Sequence, residues 1–424
     1  MTLLATLLLL IPGRSGNNIG ISVRDGVAVG HTQAWDIDGR SLNATTLSLR
    51  PLAFEIPGFL DASECDLLQR AANRLGMHRS DTKAQAGAPA SALDAIDADE
   101  NGMLDLDELR LTVEHWHDVS LDRKQALQMA QETSLRPAQR GEGKRWVVDS
   151  SQLSRQARAN RASLSRWVAD LTRSLPVARN RQSEHTFLQS SSTPDTAPSK
   201  DVDKLLGTLR RRLRALTGLP AALLSARNTD LQVVKYSAAG HYYHHHDSTA
   251  LTPHLPCCHI VPADPNCVQC RFLTVLYYLN GVVENSTDTS GFGDGDGASV
   301  TELRGGATAF PVADQQAHFA DDSAVMQWHL GENSHFANYC APNGPGVRVK
   351  PSRGKAVLFY NHQLDRAQQW KGQIDWLSMH AACPVESGTK WLANHWVQLD
   401  DSATTEWEHV RRNVEKSEKN KEEL

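Results

Sequence analysis

The sequence predicts an α+β chain: a β-sandwich or jelly roll in its C-terminal half, helices flanking it, and one inserted helical segment built around a calcium-type loop. Three observations carry this. From Leu231 onward, short runs of β-branched and aromatic residues alternate with turns ("LQVVKYS", "RFLTVLYYL", "ATAFPV", "KAVLFYN", "KWLANHWVQL"), the texture of evenly spaced strands. Ahead of them, apolar residues recur at helical spacing in "DASECDLLQRAANRLG" and over residues 160–225. Between these helices, "DADENGMLDLDE" has the residue order of a calcium-binding loop.

Length and composition bound the rest. With 424 residues, 40% of them hydrophobic, the chain can build one large or two ordinary domains, and it is neither fibre, coiled coil nor wholly disordered. A formal net charge of -5 leaves no electrostatic footprint for nucleic acid. The one basic stretch, "RRRLRAL" from Arg210, alternates with leucines and reads as the solvated face of a helix. Four of the seven cysteines, Cys257, Cys258, Cys267 and Cys270, crowd one segment. Two adjacent cysteines make poor zinc partners for a C-x-x-C pair, so disulfides stapling a long loop are the better expectation in an oxidising compartment. Cys340 and Cys383 are a further pairing that chain order alone leaves open.

In chain order, residues 1–15 hold an apolar run too short to span a bilayer, read as a secretory signal or anchor remnant that can bring the chain to a membrane. Residues 16–45, polar and Gly/Asn-rich, read as a linker. Residues 46–80 read as a strand, a Pro-Gly turn and a helix capped by Asp61 or Ser63. Residues 81–160 carry the calcium loop: Asp97, Asp99 and Asn101 supply side-chain oxygens, Gly102 the sharp turn, Met103 a backbone carbonyl, Asp105 the ninth position and Glu108 the bidentate close. Such loops usually pair, and "VVDSSQLSRQ" near Asp149 reads as a decayed partner. Residues 161–230 read as a helical support region, broken by "SSSTPDTAPSK". Residues 231–402 form the strand-rich core, with long loops at "STDTSGFGDGDGAS" and from Ala313 to Gly344. Residues 403–424 are a charged tail ending in "KEEL", a near variant of a lumenal retention address. With sequons at Asn43 and Asn285, these features place the chain in the endoplasmic reticulum, lumenal or lumen-facing.

"HYYHHHDS", from His241, concentrates metal-ligating chemistry. In a strand, side chains alternate faces, so His245 and Asp247 point one way while His244 and His246 point the other. His-x-Asp with a distant His is the pattern of a facial triad for non-haem Fe(II), and His380 supplies the third ligand. A facial triad leaves positions for 2-oxoglutarate and dioxygen, and the far carboxylate of 2-oxoglutarate needs a cation, which Lys390 supplies. His241, His244 and His246 are expected to be neighbours of the iron rather than ligands.

The segments "QVVKYSAAGHYYHHHD", "GGATAFPVAD", "VRVKPSRGKAVLFYN" and "SMHAACPVESGTKWLANHW" resemble the catalytic domain of prolyl 4-hydroxylases. "TLSLRPLAFEIPGFLDASECDLL" followed by an EF-hand is similar to the transmembrane, endoplasmic-reticulum group of that family. The resemblance implies a double-stranded β-helix, Fe(II), 2-oxoglutarate, dioxygen, L-ascorbate and a proline-containing protein or peptide substrate. It implies His245, Asp247 and His380 as iron ligands, Lys390 as the partner of the 2-oxoglutarate carboxylate, and Tyr236 as a residue that helps bind the cosubstrate. Thr308 and Phe310 are expected to line the cavity, and Trp391 to be core. Ala307 stands where the family has an acidic residue and His244 where it has a small one, departures that leave the iron site intact and the substrate open. A hydroxylase of another residue, such as lysyl, would share every ligand. A calcium-binding lumenal protein with an inactive oxygenase domain is the reading from outside enzymology. Oligomeric state is not legible.

Overall fold

A computed structural model describes residues 21, 23–80, 101, 103–133, 138–140, 145–189, 200–219, 223–224, 231–248, 269–282, 302–315, 324, 328–329, 331, 334–367 and 369–400. The first elements are β1 (Thr32–Ile37), β2 (Arg40–Leu49), β3 (Leu52–Ile56), helix α1 (Ala62–Leu75) and the short β4 (His78–Arg79). A mainly helical module follows: β5 (Met103–Asp105), α2 (Leu106–His117), α3 (Arg123–Glu132), β6 (Ala138–Arg140), β7 (Arg145–Asp149) and α4 (Ser150–Ser174). The chain returns through β8 (Arg181–Gln182), β9 (Glu184–Leu188) and α5 (Lys200–Thr217) to β10 (Leu231–Tyr236), β11 (His241–His245) and β12 (Gln269–Tyr278). Then come β13 (Arg304–Gly305), β14 (Thr308–Phe310), α6 (Phe336–Tyr339), β15 (Val347–Val349), β16 (Ala356–Tyr360), β17 (His362–Asp365), β18 (Trp370–Ile374), β19 (His380–Ala382), β20 (Val385–Ser387) and β21 (Lys390–Asp400).

Two antiparallel sheets carry the core. One has nine strands in the order β1-β2-β3-β16-β12-β21-β10-β9-β4, the other five in the order β15-β14-β19-β11-β8. The central strands of the larger sheet are buried on both faces, which is why "LTVLYYL" and "AVLFY" read as unbroken apolar runs rather than alternating ones. Period-two alternation still sorts their side chains. Val234, Tyr236, Leu276, Tyr278, Val357, Phe359 and Leu392 face the five-stranded sheet and meet Phe310, Val349 and Ala382 there. Val233, Val275, Tyr277, Leu358 and Ala393 face outward, under the two helices.

Those helices are amphipathic. Leu68 and Ala72 of α1 and Val202, Leu205, Leu209, Leu213 and Leu216 of α5 are buried against the outer face, each leucine contributing roughly 1.5–3 kcal/mol. Of the two cap candidates the structure selects Asp61, in a full capping box with Glu64. Both Glu64 oxygens also receive Arg212 of α5, at 2.7 and 2.8 Å, which locks the two helices together.

Two boundaries differ from the sequence reading. Residues 32–45 are not linker: they lie in β1 and β2, joined by Asp38 and Gly39, both with positive φ. An Asp-Gly pair between alternating apolar residues ("TQAWDIDGRSLNAT") is a strong hairpin signal, and the polar, Gly/Asn-rich composition around it masked it. Nor is 161–230 helical throughout, since β8 and β9 interrupt it; such short strands have too little local pattern, and their partners β10, β11 and β4 lie far along the chain. The stretch from Ala313 to Gly344 holds the short helix α6, fastened to the residue following β19 by a Cys340–Cys383 disulfide.

The helical module has its own core of Leu104, Leu109, Val113, Leu121, Met129, Leu164 and Val168. Leu104 of β5 pairs with Val148 of β7, in the "VVDSSQ" segment that follows the calcium-loop half. The turn after α2 is joined to the core by backbone: Ser120 N–H donates to the Ala178 carbonyl (2.8 Å) and Asn180 N–H to the Asp118 carbonyl (3.1 Å). The Asn180 carbonyl in turn accepts from Tyr243 N–H of β11 at 2.8 Å. Among the described residues no helix is long and apolar enough to cross a membrane. The N-terminal apolar run, the C-terminal tail, Asn285, Cys257, Cys258 and Cys267 lie outside the described residues.

Candidate metal and cosubstrate centre

β11 and β19 run antiparallel with a register shift between Tyr242 and His245, so that His245 and His380 become direct cross-strand partners. Their ring centroids are 4.4 Å apart. Asp247 lies just past the end of β11 and folds back to them, and one donor atom from each of the three residues falls within 4.8 Å of the other two. The expected triad is therefore assembled, although Asp247 reaches it from beyond the strand.

Hydrogen bonds outside the triad aim its donors. His245 Nδ1 donates to the Tyr243 carbonyl (2.8 Å) and His380 Nδ1 to the Ser378 carbonyl (3.0 Å), which leaves both Nε2 atoms as acceptors. Asp247 Oδ2 receives the Thr274 hydroxyl at 2.7 Å and the Trp396 indole N–H at 2.9 Å. Burial pushes the Asp247 carboxyl up, but His380, Arg271 and His245 outweigh it and hold it below the usual carboxylate range. Burial, reinforced by His380, holds His245 well below an ordinary histidine. A carboxylate and two imidazoles suit a divalent transition metal, and this donor set fits Fe(II).

Among the described residues, the other histidines of this segment have partners outside the triad. Both ring nitrogens of His241 face carbonyls, those of Ala239 and Arg179. His244 Nε2 sits 3.1 Å from His329 Nδ1. His246 differs from the alternation argument: it lines the cavity, with Nε2 donating to the Trp376 carbonyl at 2.9 Å. The strand has already ended at His245, so its two-residue period no longer governs the next residues.

The triad opens into a cavity of 250 Å³ that also exposes Tyr236, Tyr242, Arg181, Arg271, Thr308 and Trp396. Beside it Lys390 is completely buried, its ammonium lacks a hydrogen-bond partner, and burial pulls its pKa down to about 7. Its Nζ lies 5.4 Å from the ring centroid of Tyr236 and 5.6 Å from that of Tyr278, whose hydroxyl donates to Thr308 at 2.7 Å. Gly306, at φ +69°, makes room for the stem, since a Cβ there would stand 3.2 Å from Lys390 Cδ. An orphan ammonium inside a protein calls for an anion, and the far carboxylate of 2-oxoglutarate fits that need.

Thr308 lines the cavity as expected; Phe310 instead backs His380, with centroids 5.9 Å apart. Trp391 is core. Thr274, Trp396 and Arg271 escaped the sequence reading. Trp396 was accessible to it, because Lys390, Leu392, Asn394 and Trp396 share one face of β21. Arg271 was not: the register shift between Arg271 and Leu273 turns it inward. Of the expected calcium ligands, Asp97 and Asp99, with Gly102, lie outside the described residues. Asn101 is exposed, Met103 lies in β5, and Asp105 and Glu108 form the capping box of α2, with Glu108 Oε2 accepting from Asp105 N–H at 2.8 Å.

Residues 231–398 match the family model of the 2OG-Fe(II) oxygenase superfamily. Together with the triad and Lys390, this defines the catalytic half as a 2-oxoglutarate- and Fe(II)-dependent dioxygenase. The chain is 29% identical over 401 residues to the transmembrane prolyl 4-hydroxylases of Mus musculus and Homo sapiens, covering 89% of its own length and 69% and 70% of theirs. A viral collagen prolyl hydroxylase from Paramecium Bursaria Chlorella virus-1 aligns over 82% of this chain and 95% of its own, at 15% identity and a TM-score of 0.33. Over most of its length the chain is similar to prolyl 4-hydroxylases.

Proposed function

We propose that the chain hydroxylates peptidyl proline at C4, coupling the reaction to oxidative decarboxylation of 2-oxoglutarate by dioxygen, with L-ascorbate as the auxiliary reductant. The observation that carries this is the buried, unpartnered Lys390 ammonium beside a cavity that also holds an intact triad. Loss of any one of these four residues would favour the inactive-domain reading. Iron held by His245, Asp247 and His380 would supply oxygen activation and hydrogen abstraction from the substrate C–H. The chain's own side chains bind and orient. Lys390 grips the distal carboxylate, Tyr236 and Thr308 wall the cosubstrate, and Thr274 and Trp396 keep Asp247 Oδ2 occupied so that Oδ1 is presented. The sandwich is read as the double-stranded β-helix of this superfamily.

Calcium modulation belongs to the same proposal. Asp97, Asp99, Asn101, Met103, Asp105 and Glu108 would bind Ca2+ at the start of α2, and the far end of α2 is linked through Asp118–Ser120, Ala178–Asn180 and Tyr243 to the strand of His245. That route gives ion binding a physical path to the iron strand. Retention facing the endoplasmic-reticulum lumen suits the Cys340–Cys383 disulfide.

The test is succinate release from 2-oxoglutarate by the purified chain with Fe(II), ascorbate and proline-containing peptides, beside His380→Ala. Peptide-stimulated turnover that yields 4-hydroxyproline and vanishes in the variant is the expected result. Hydroxylysine as product, or failure to bind iron, would overturn the proposal.

A further inference from the structure

A second cleft, of 530 Å³, opens where the C-terminal end of α4 meets the β4–β9–β10 edge of the large sheet. Arg79, Arg173, Arg179 and Lys235 line it, against one carboxylate among its described lining residues, Glu184. Arg79, Glu184 and Lys235 form a cross-strand row, register partners across β4, β9 and β10. Lys235 and Glu184 pair at 3.2 Å, and Arg173, with 76% of its side chain exposed, pairs with the equally outlying Asp170 at 2.7 Å. Exposed pairs of this kind exchange partners at little cost. The cleft thus gathers four cationic side chains around one carboxylate in a chain whose formal net charge is -5.

It adjoins the iron cavity. Arg181 lines that cavity, and its Nε donates at 2.8 Å to the hydroxyl of Ser183, which lines the cleft. Tyr236 lines the cavity and the next residue, Ser237, the cleft.

We infer that this cleft holds an acidic stretch of the same polypeptide whose proline enters the iron cavity, so that the enzyme selects prolines with Asp or Glu at a fixed distance along the chain. This rests on the peptidyl-proline reading above. An extended acidic segment suits the site better than a compact anion, because the cations sit on four separate elements rather than converging on one point. Hydroxyls and an amide between them (Thr172, Gln182, Ser183, Ser237) suit carboxylates and backbone groups along a strand. Each rim charge contributes roughly two- to five-fold in affinity, and salt screens it over about 8–10 Å.

The experiment compares a proline peptide with neutral flanks to variants carrying three consecutive acidic residues at successive distances on either side. At one placement KM should fall about tenfold with kcat unchanged, and the advantage should disappear in 0.5 M NaCl and in the full-length Arg79→Glu/Arg173→Glu variant. Both positions are exposed, and that variant should turn over the neutral peptide like wild type. An equal KM at every placement, or an advantage that survives the double variant, overturns the inference. If no peptide is hydroxylated, the peptidyl-proline reading fails by itself. The cleft is then read by fluorescence polarisation of the acidic peptide on wild type and double variant. Equal binding to both, or displacement by millimolar inorganic phosphate as effective as by unlabelled peptide, overturns it.

Discussion

Replacing Lys390 by Met removes one charge while nearly preserving the stem that fills the slot beside Gly306. Burial moves the Lys390 pKa from 10.5 to about 7, which corresponds to about 5 kcal/mol of penalty on the charged form. The sign follows from proton counting. Between about pH 7 and 10.5 the unfolded lysine holds a proton that the folded one has lost, so the penalty on the ligand-free fold is full below about pH 7 and is relieved as pH rises toward 10.5. Lys390→Met should therefore raise the melting temperature of the ligand-free protein below pH 7. The same change removes the counter-charge of a buried carboxylate, a loss of roughly 3–5 kcal/mol or about 150- to 5,000-fold in 2-oxoglutarate affinity. Wild-type affinity should weaken about tenfold per pH unit above about 7, with proton uptake on binding. Anaerobic calorimetry in buffers of different ionisation enthalpy, with thermal melts at several pH values, measures all three. A 2-oxoglutarate affinity within threefold of wild type, or a fall in melting temperature below pH 7, would refute the assignment of this ammonium to the cosubstrate.

Thr274→Val and Trp396→Phe each leave Asp247 Oδ2 short of one donor and should weaken Fe(II) binding about 10- to 100-fold, read by chelator competition, with little change in fold. Calcium should raise the melting temperature of wild type but not of Glu108→Ala, which also opens the α2 capping box at about 1 kcal/mol. Cys383→Ser releases a link closed over 43 residues and should cost about 4 kcal/mol on the chain-entropy account, measured by urea denaturation under non-reducing conditions.

The ligand set was legible because chemistry restricts it: only certain residues bind iron, and a buried cosubstrate carboxylate demands a cation, so His245, Asp247, His380 and Lys390 stood out by type and spacing. What supports them was harder to read. Thr274 looks like one more β-branched residue in "RFLTVLYYL", and its role depends on Asp247 folding back from beyond β11. Arg271 faces inward only through an irregularity in pairing that no local pattern announces. His246 shows the converse, a periodicity argument carried past the end of its strand. The β1–β2 hairpin was accessible through Asp38-Gly39, whereas β8 and β9 owe their existence to partners far away in sequence.

The helical module leaves the core after Ser80 and rejoins it before Ser183, where Ser80 N–H donates to the Ser183 carbonyl at 2.8 Å. An excursion of about a hundred residues therefore begins and ends one hydrogen bond apart. Such a graft adds only a loop-closure term that grows with the logarithm of its length, so the oxygenase sandwich can gain, exchange or shed the module without reordering a strand. What the sandwich cannot shed as cheaply is the contact at Asp118–Ser120, because the carbonyl that Asn180 offers to Tyr243 is held in place from the module's side. The graft has become a brace for the strand that bears His245.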